Sequence, residues 1–398
     1  MVSKISFQNF KLFNAEQSFE LKPMTILIGK NSSGKSAIAK LPTLISESLK
    51  GTFNEPFSWD NDGVILGANY ADLNHGKETT GLFKFSLENN EGKKFSIEIQ
   101  FGKNNLNISS WNYNDEFILT YNLQSRKYLL SLTQKEYDVK FDGFLVDDIF
   151  DYSSHFPTLE TFMFDFDYVC SYRIQPNQIS EDLPKEKNIK KIGIDGRFAY
   201  EILINDFLVS DSELLQKVSS WYEKTFDGWG INIDNDIPRS KFYFELKRDI
   251  PTEFKTNLDN VGQGISQTLP LITKSFMKEE KASLTIIEEP ELHLHPSAHG
   301  DLAERFAESL EDVNKRYLIE THSENFILRL RRLIVEKKFD FFTVDHFRIY
   351  YVEYDELTNE SNLKEVFISE SGDVKNWPRK VFSESLDELI AIKNAQNN

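Results

Sequence analysis

Eight residues near the start of the chain, Gly29-Lys30-Asn31-Ser32-Ser33-Gly34-Lys35-Ser36, match the pattern G-x-x-x-x-G-K-S in full. The chemistry of such a loop is phosphate binding. Its glycines let the backbone curl until N–H groups face an anion, and a following helix adds positive potential at its N-terminus. In that pattern the lysine reaches the β/γ-phosphates and the last hydroxyl ligates magnesium, which are the roles expected of Lys35 and Ser36. Gly29, Asn31, Ser32, Ser33, Gly34 and Ala37 complete the candidate nucleotide contact.

A second set of chemical residues stands far downstream. Residues 284–296 read LTIIEEPELHLHP, an apolar run ending in adjacent carboxylates. A buried strand of that kind delivers acids to phosphates: Glu288 for the magnesium shell, Glu289 to polarise an attacking water. Tyr317-Leu318-Ile319-Glu320-Thr321-His322-Ser323 is another apolar run with a polar tip, and His322 there is a candidate γ-phosphate contact. Upstream, Asn260-Val261-Gly262-Gln263-Gly264-Ile265-Ser266-Gln267 is glycine-rich and precedes a helix-like apolar run to Phe276.

The elements that must hold these residues can be read from periodicity. Residues 3–10 alternate as a strand, and Met24 to Ile28 form a short apolar strand that leads into the phosphate loop. Ile38, Leu41, Leu44, Ile45 and Leu49 have helical spacing, closed by Gly51. Phe83, Phe85 and Leu87 alternate, Asn89-Asn90-Glu91-Gly92 supplies a turn, and Phe95, Ile97, Ile99 and Phe101 alternate again. This predicts an antiparallel sheet over 81–145, either part of a nucleotide lobe or inserted in one. Residues 146–230 look more helical, with Ser210 and Glu213 spaced as a capping box before Leu214, Leu215, Val218 and Trp221. The expected organisation is an α/β fold in four segments: 1–80 with the phosphate loop, 81–145 antiparallel β, 146–235 mainly helical, and 236–398 with the acidic strand. No sustained heptads predict a long coiled coil.

Composition bounds the class. With 398 residues, 40% hydrophobic, 33 Phe and 15 Tyr, the chain has ample material for a core. Cys170 is the one cysteine, which excludes an intrachain disulfide framework and Cys-based metal sites. No run approaches 18 apolar residues and the start has no signal-like apolar core, so no membrane association and a cytoplasmic location are expected. A net charge of -17 disfavours a surface generally attractive to nucleic acid, although a local basic groove is compatible with it.

The order of these motifs resembles the ABC-type ATPase family: phosphate loop, signature loop, acidic strand, histidine switch. The closer resemblance is to bacterial ATPases related to the overcoming-lysogenisation-defect nucleases and the chromosome-maintenance ATPases. It is carried by NFKLF at 9–13, ILIGKNSSGKS at 26–36, VGQGISQTLPLI at 261–272, EEPELHLHP at 288–296 and THSENFILRL at 321–330. LGANYADLNHGK at 66–77, SYRIQP at 171–176 and SGDVKNWP at 371–378 are weaker echoes. The resemblance implies an ABC-type two-lobed P-loop ATPase head using ATP and Mg2+. Lys35 and Ser36 would contact phosphate and magnesium, Glu288 would be the magnesium acid, Glu289 the catalytic base and His322 the switch histidine. It further implies a head-to-tail homodimer or higher homo-oligomer, in which Asn260, Gly262, Gly264 and Ser266 complete a partner copy's site. Lys11 would lie near the nucleotide. Two departures stand out: the signature is not LSGGQ, and no glutamine marks a magnesium-sensing lid, leaving His75 or a neighbour as a stand-in.

The resemblance also implies a place in antiphage defence, with a separate nuclease or toxin effector acting in trans. The 76 residues after His322 are too few for the nuclease domain that related proteins carry there. Competing roles are a slow-turnover scaffold that uses ATP as dimer glue, and an ATPase subunit for DNA repair or a transporter. Three features invite other chemistry. His293, His295 and His299 suggest zinc but have no cysteine or spaced carboxylate to complete a tetrahedral site. Asp165-Phe166-Asp167 mimics a nuclease acid pair but reads as a strand among aromatics. Arg329, Arg331, Arg332, Lys337 and Lys338 form a basic run that suits a solvated helix face, or else a phosphate-backbone or partner contact.

Overall fold

A computed structural model describes residues 1–77, 80–102, 106–175, 189–208, 211–236, 241–249, 252–378, 381–382, 388, 390 and 392–395. The chain forms two compact units, one of residues 1–165 with 344–398 and one of residues 166–343.

In the first unit an antiparallel sheet runs in the order 135–137, 127–130, 117–122, 106–113, 94–101, 81–89, 2–8 and 17–20. The N-terminal strand Val2–Gln8 pairs with Gly81–Asn89, Ile5 opposite Leu87 and Phe7 opposite Phe85. The antiparallel sheet expected over 81–145 is continuous, over 81–137, with the strands that precede the phosphate loop, whereas 139–142 and 145–149 pair as a separate two-stranded sheet. Its alternation buries Phe83, Phe85, Phe95, Ile97, Ile99 and Trp111 on one face. The same unit holds Met24–Gly29, parallel to Phe347–Asp355, which in turn pairs antiparallel with Glu360–Ile368. Every residue of 24–28 is buried, as a strand covered on both faces requires. Helix α1 follows at Lys35–Lys50 and ends on a left-handed Gly51. Pro42 lies inside it, where it forgoes one backbone hydrogen bond.

The second unit has Ser283–Glu288 and Lys315–Glu320 as parallel neighbours, with Ile286 opposite Leu318 and Glu288 opposite Glu320. Asp165–Val169 lies on the other side of Ser283–Glu288. Among the described residues of this unit the α-helices are α2 (Phe198–Leu208), α3 (Glu213–Thr225), α4 (Gln263–Phe276), α5 (Pro296–Ser309) and α6 (Glu324–Val335). A small antiparallel sheet of 230–236, 241–248 and 254–257 lies between α3 and α4 in sequence. The capping box is not how α3 begins. Its first residue is Glu213, preceded by Ser212 in a left-handed conformation with no side-chain cap; Ser210 lies outside the described residues. Asp206 of α2 accepts from the Leu215 N–H at 2.8 Å, so the neighbouring helix satisfies the start that a local cap was expected to serve.

Both units are α/β, as expected. Among the described residues the longest helix is α1, at 16 residues, so no long coiled coil occurs, and no helix is long and apolar enough to cross a membrane.

Candidate functional site

The phosphate loop of the first unit is shaped by close approach. Gly29 has φ 155°, and a Cβ there would stand 2.7 Å from the Val352 carbonyl oxygen. Gly34 is left-handed at φ 101°, with the Phe13 ring 3.1 Å from where a Cβ would sit. Only glycine tolerates both the backbone angle and the contact. Ser32 is also left-handed, and the Ser33 carbonyl accepts from the Ser361 hydroxyl at 2.7 Å. Lys35 is buried, and its Nζ donates to the Gly29 and Lys30 carbonyls at 3.0 and 2.8 Å. The lysine thus spans the mouth of its own loop. Helix α1 begins at that residue with no side-chain cap at Gly34, the arrangement that presents backbone N–H groups to an anion. Asn31 and Ser36 flank the loop's turn and the helix start, and Ala37 donates back to the Gly34 carbonyl at 3.1 Å.

The Asn9–Phe13 turn buttresses this loop. Asn9 and Lys11 are left-handed, Phe13 packs on Gly34, and the Leu12 carbonyl accepts from the Ser361 N–H at 2.8 Å. Lys11 donates to the Leu66 carbonyl, and burial lowers its pKa despite Asp72. His75 lies near the same turn, its Nδ1 3.2 Å from the Lys11 carbonyl and its Nε2 3.9 Å from Glu360. The echo at 66–77 is thereby tied to the NFKLF turn.

In the second unit, Ser283–Glu288 is buried up to its last residue, where the carboxylates emerge. Glu288 accepts from the Tyr168 hydroxyl and, at 3.3 Å, from the Ser171 N–H. These partners fix the carboxylate's direction and leave lone pairs for a hard cation such as magnesium, which takes oxygen donors. Burial and the Glu288 charge push the Tyr168 phenol far above its usual range, so the hydroxyl is a donor at any working pH. Glu289 turns left-handed at φ 42°, a conformation costing a non-glycine residue about 1–2 kcal/mol, and its N–H donates to the Glu320 carbonyl at 2.7 Å. Its carboxylate lies 4.0 Å from His322 Nε2. Glu289, Glu320 and His322 bring one ligand atom each within 4.8 Å of one another. The acid pair and the histidine therefore converge within the second unit.

Sequence reasoning gave no role to several residues that hold this centre. Glu291 is buried and accepts from the Thr321 hydroxyl at 2.8 Å and the His322 N–H at 2.6 Å, tying the two strand tips together. Burial raises its pKa above the ordinary carboxylate value. Arg173, 1% exposed, donates to the carbonyls of Glu288 and Glu289. Both lie in motifs already singled out, EEPELHLHP and SYRIQP, whose last residue Pro176 lies outside the described residues.

The glycine-rich loop divides into two parts. Asn260 and Gly262 are exposed, and nothing stands within 4 Å of a Cβ at Gly262. Gly264 and Ser266 are buried in α4; a Cβ at Gly264 would stand 2.2 Å from the His293 carbonyl oxygen, so this glycine serves packing within the unit. The features set aside also find their places. His295 caps α5 through Ser297, and His299 bonds Ser323 and the Leu294 carbonyl. Among the described residues the three histidines form no metal cluster. Asp167 accepts from the Ile192 and Gly193 N–H groups and pairs with buried Lys274 at 3.1 Å, while Asp165 is exposed. Arg329 is held by Asp301 and Glu304, and Arg332 by Glu336.

Residues 171–327 are similar to the AAA ATPase domain family, a stretch that contains the acidic centre and the glycine-rich loop but not residues 29–36. No curated protein matches the sequence significantly. Among solved structures, the SmcHead bound to the C-winged helix domain of ScpA is 11% identical over 92% of this chain and 97% of its own, at a TM-score of 0.49. The SMC head domain from Thermotoga maritima is 11% identical over 92% and 99%, at 0.41. The Smc head domain with an extended coiled coil bound to the C-terminal domain of ScpA, derived from Pyrococcus furiosus, is 11% identical over 98% and 99%, at 0.48. No residue role follows from these likenesses.

Proposed function

We propose that this chain is a magnesium-dependent ATPase that closes head to tail with a second copy around ATP and passes the signal to a separate effector. The phosphate loop carries the reading: left-handed Gly34, an uncapped α1 start, and Lys35 buried against the loop's own carbonyls. Lys35, with Gly29 and the 31–37 backbone, holds the phosphates; Ser36 and Glu288 hold magnesium. When bound, magnesium offsets phosphate charge and orients it. Glu289 accepts a proton from the attacking water, and His322 hydrogen-bonds the γ-phosphate. Exposed Asn260 and Gly262 are the part of the signature loop suited to meet a partner copy. The Glu289→Gln variant with ATP is expected to elute as a dimer, and adding Gly262→Arg should return it to monomer with ATP binding intact. A dimer indifferent to Gly262→Arg would remove this loop from the interface.

The effector is proposed to be a nuclease or toxin on another chain, in the antiphage setting that the motif resemblance suggests. Asp167 is committed to Lys274 and two backbone N–H groups, so the Asp-x-Asp pair does not form an open metal site. The purified chain with magnesium or manganese is expected to leave plasmid and linear DNA intact. Cleavage abolished by Asp165→Ala with Asp167→Ala would place a nuclease here instead.

A further inference from the structure

We infer that the segment Tyr168–Arg173 is a clamp that sets the geometry of the acid pair, with Arg173 as a positioning residue for Glu289. Arg173 Nη1 donates to the Glu288 carbonyl at 3.2 Å and to the Cys170 carbonyl at 3.4 Å, and Nη2 donates to the Glu289 carbonyl at 3.2 Å. Its Nε has no hydrogen-bond partner among the described residues. Burial lowers the guanidinium pKa to about 10, which still leaves it charged near neutrality. A buried cation needs compensation, and here carbonyl oxygens supply it. Two of the three belong to the consecutive residues Glu288 and Glu289, at the point where the backbone turns left-handed. A planar guanidinium grips the two adjacent carbonyls through two separate nitrogens held in a fixed fork; an ammonium would have to reach both from a single atom at the end of a flexible stem. The clamp is itself anchored, since Cys170 N–H donates to the Ile194 carbonyl and Ile174 N–H to the Asp195 carbonyl, at 2.8 and 2.9 Å. The other end of the segment grips the side chain of Glu288 through the Tyr168 hydroxyl and the Ser171 N–H. One six-residue stretch thus holds the first acid by its carboxylate and the turn to the second by its backbone.

This rests on the ATPase reading for its consequence, though not for its geometry. Arg173→Lys keeps the charge and loses the fork. Its kcat is expected to fall about 10–100-fold, the range for losing a residue that orients a reacting group. The ATP KM should stay within about threefold, because the phosphate loop is untouched. A crystal structure of the variant should show Glu289 outside the left-handed region. Should Arg173→Lys not fold, Tyr168→Phe, which preserves shape, tests the other end of the clamp by the same kcat-against-KM split. Wild-type kcat in the folded variant, or a Glu289 backbone that is unmoved, overturns the clamp. Absence of hydrolysis by the wild-type chain refutes the ATPase reading instead, and the Glu289 backbone in the variant still decides the clamp.

Discussion

Glu289→Gln is expected to bind ATP as the wild type does and to lose about 10²–10⁴-fold in turnover, the usual scale for removing a general base. The replacement is nearly isosteric, so the backbone bond from Glu289 to the Glu320 carbonyl and the left-handed turn survive it. What disappears is a carboxylate able to take a proton from water; an amide cannot. His322, 4.0 Å from the Glu289 carboxylate, remains in place beside Glu320. Phosphate release at saturating ATP, alongside calorimetric ATP binding, separates the two quantities. Wild-type turnover in the variant would strip Glu289 of the role.

Lys35→Ala is expected to abolish nucleotide binding rather than turnover alone. Removing one partner of a buried charge-assisted pair costs about 2–5 kcal/mol, roughly 30-fold to several thousand-fold in affinity. The variant also deprives the Gly29 and Lys30 carbonyls of their donor, so the loop itself loses a brace. A melting curve within a few degrees of wild type would show that the unit still folds. Affinity within threefold of wild type would refute the assignment.

The features legible in the sequence were those that depend on local order. Gly29, Gly34 and Lys35 announce their chemistry by spacing, because a phosphate loop is built from one continuous backbone curl. The α1 helix, expected over Ala37–Leu49, runs from Lys35 to Lys50, because its apolar period and Gly51 are local signals. The acid pair was visible for the same reason, as an apolar run ending in carboxylates. Departures arose where a group on a neighbouring element took over a local task. Asp206 replaces the expected cap of α3. The spacing also did not show that Gly264 packs against the His293 carbonyl of its own unit.

By itself, then, the amino-acid order determined the phosphate loop, the acidic strand end and the antiparallel pattern of 81–145, all set by contiguous residues or by a period of two. Tertiary structure alone decided what supports them. It joined the strands of 81–137 to Val2–Gln8, placed Phe13 under Gly34, and brought Arg173 more than a hundred residues along the chain to the carbonyls of Glu288 and Glu289. It also placed Glu291 where its carboxylate ties Thr321 to the acidic turn. Such partners have no fixed spacing in sequence. A buried charge or a crowded glycine is satisfied by whatever group packing delivers, and packing is a property of the folded chain.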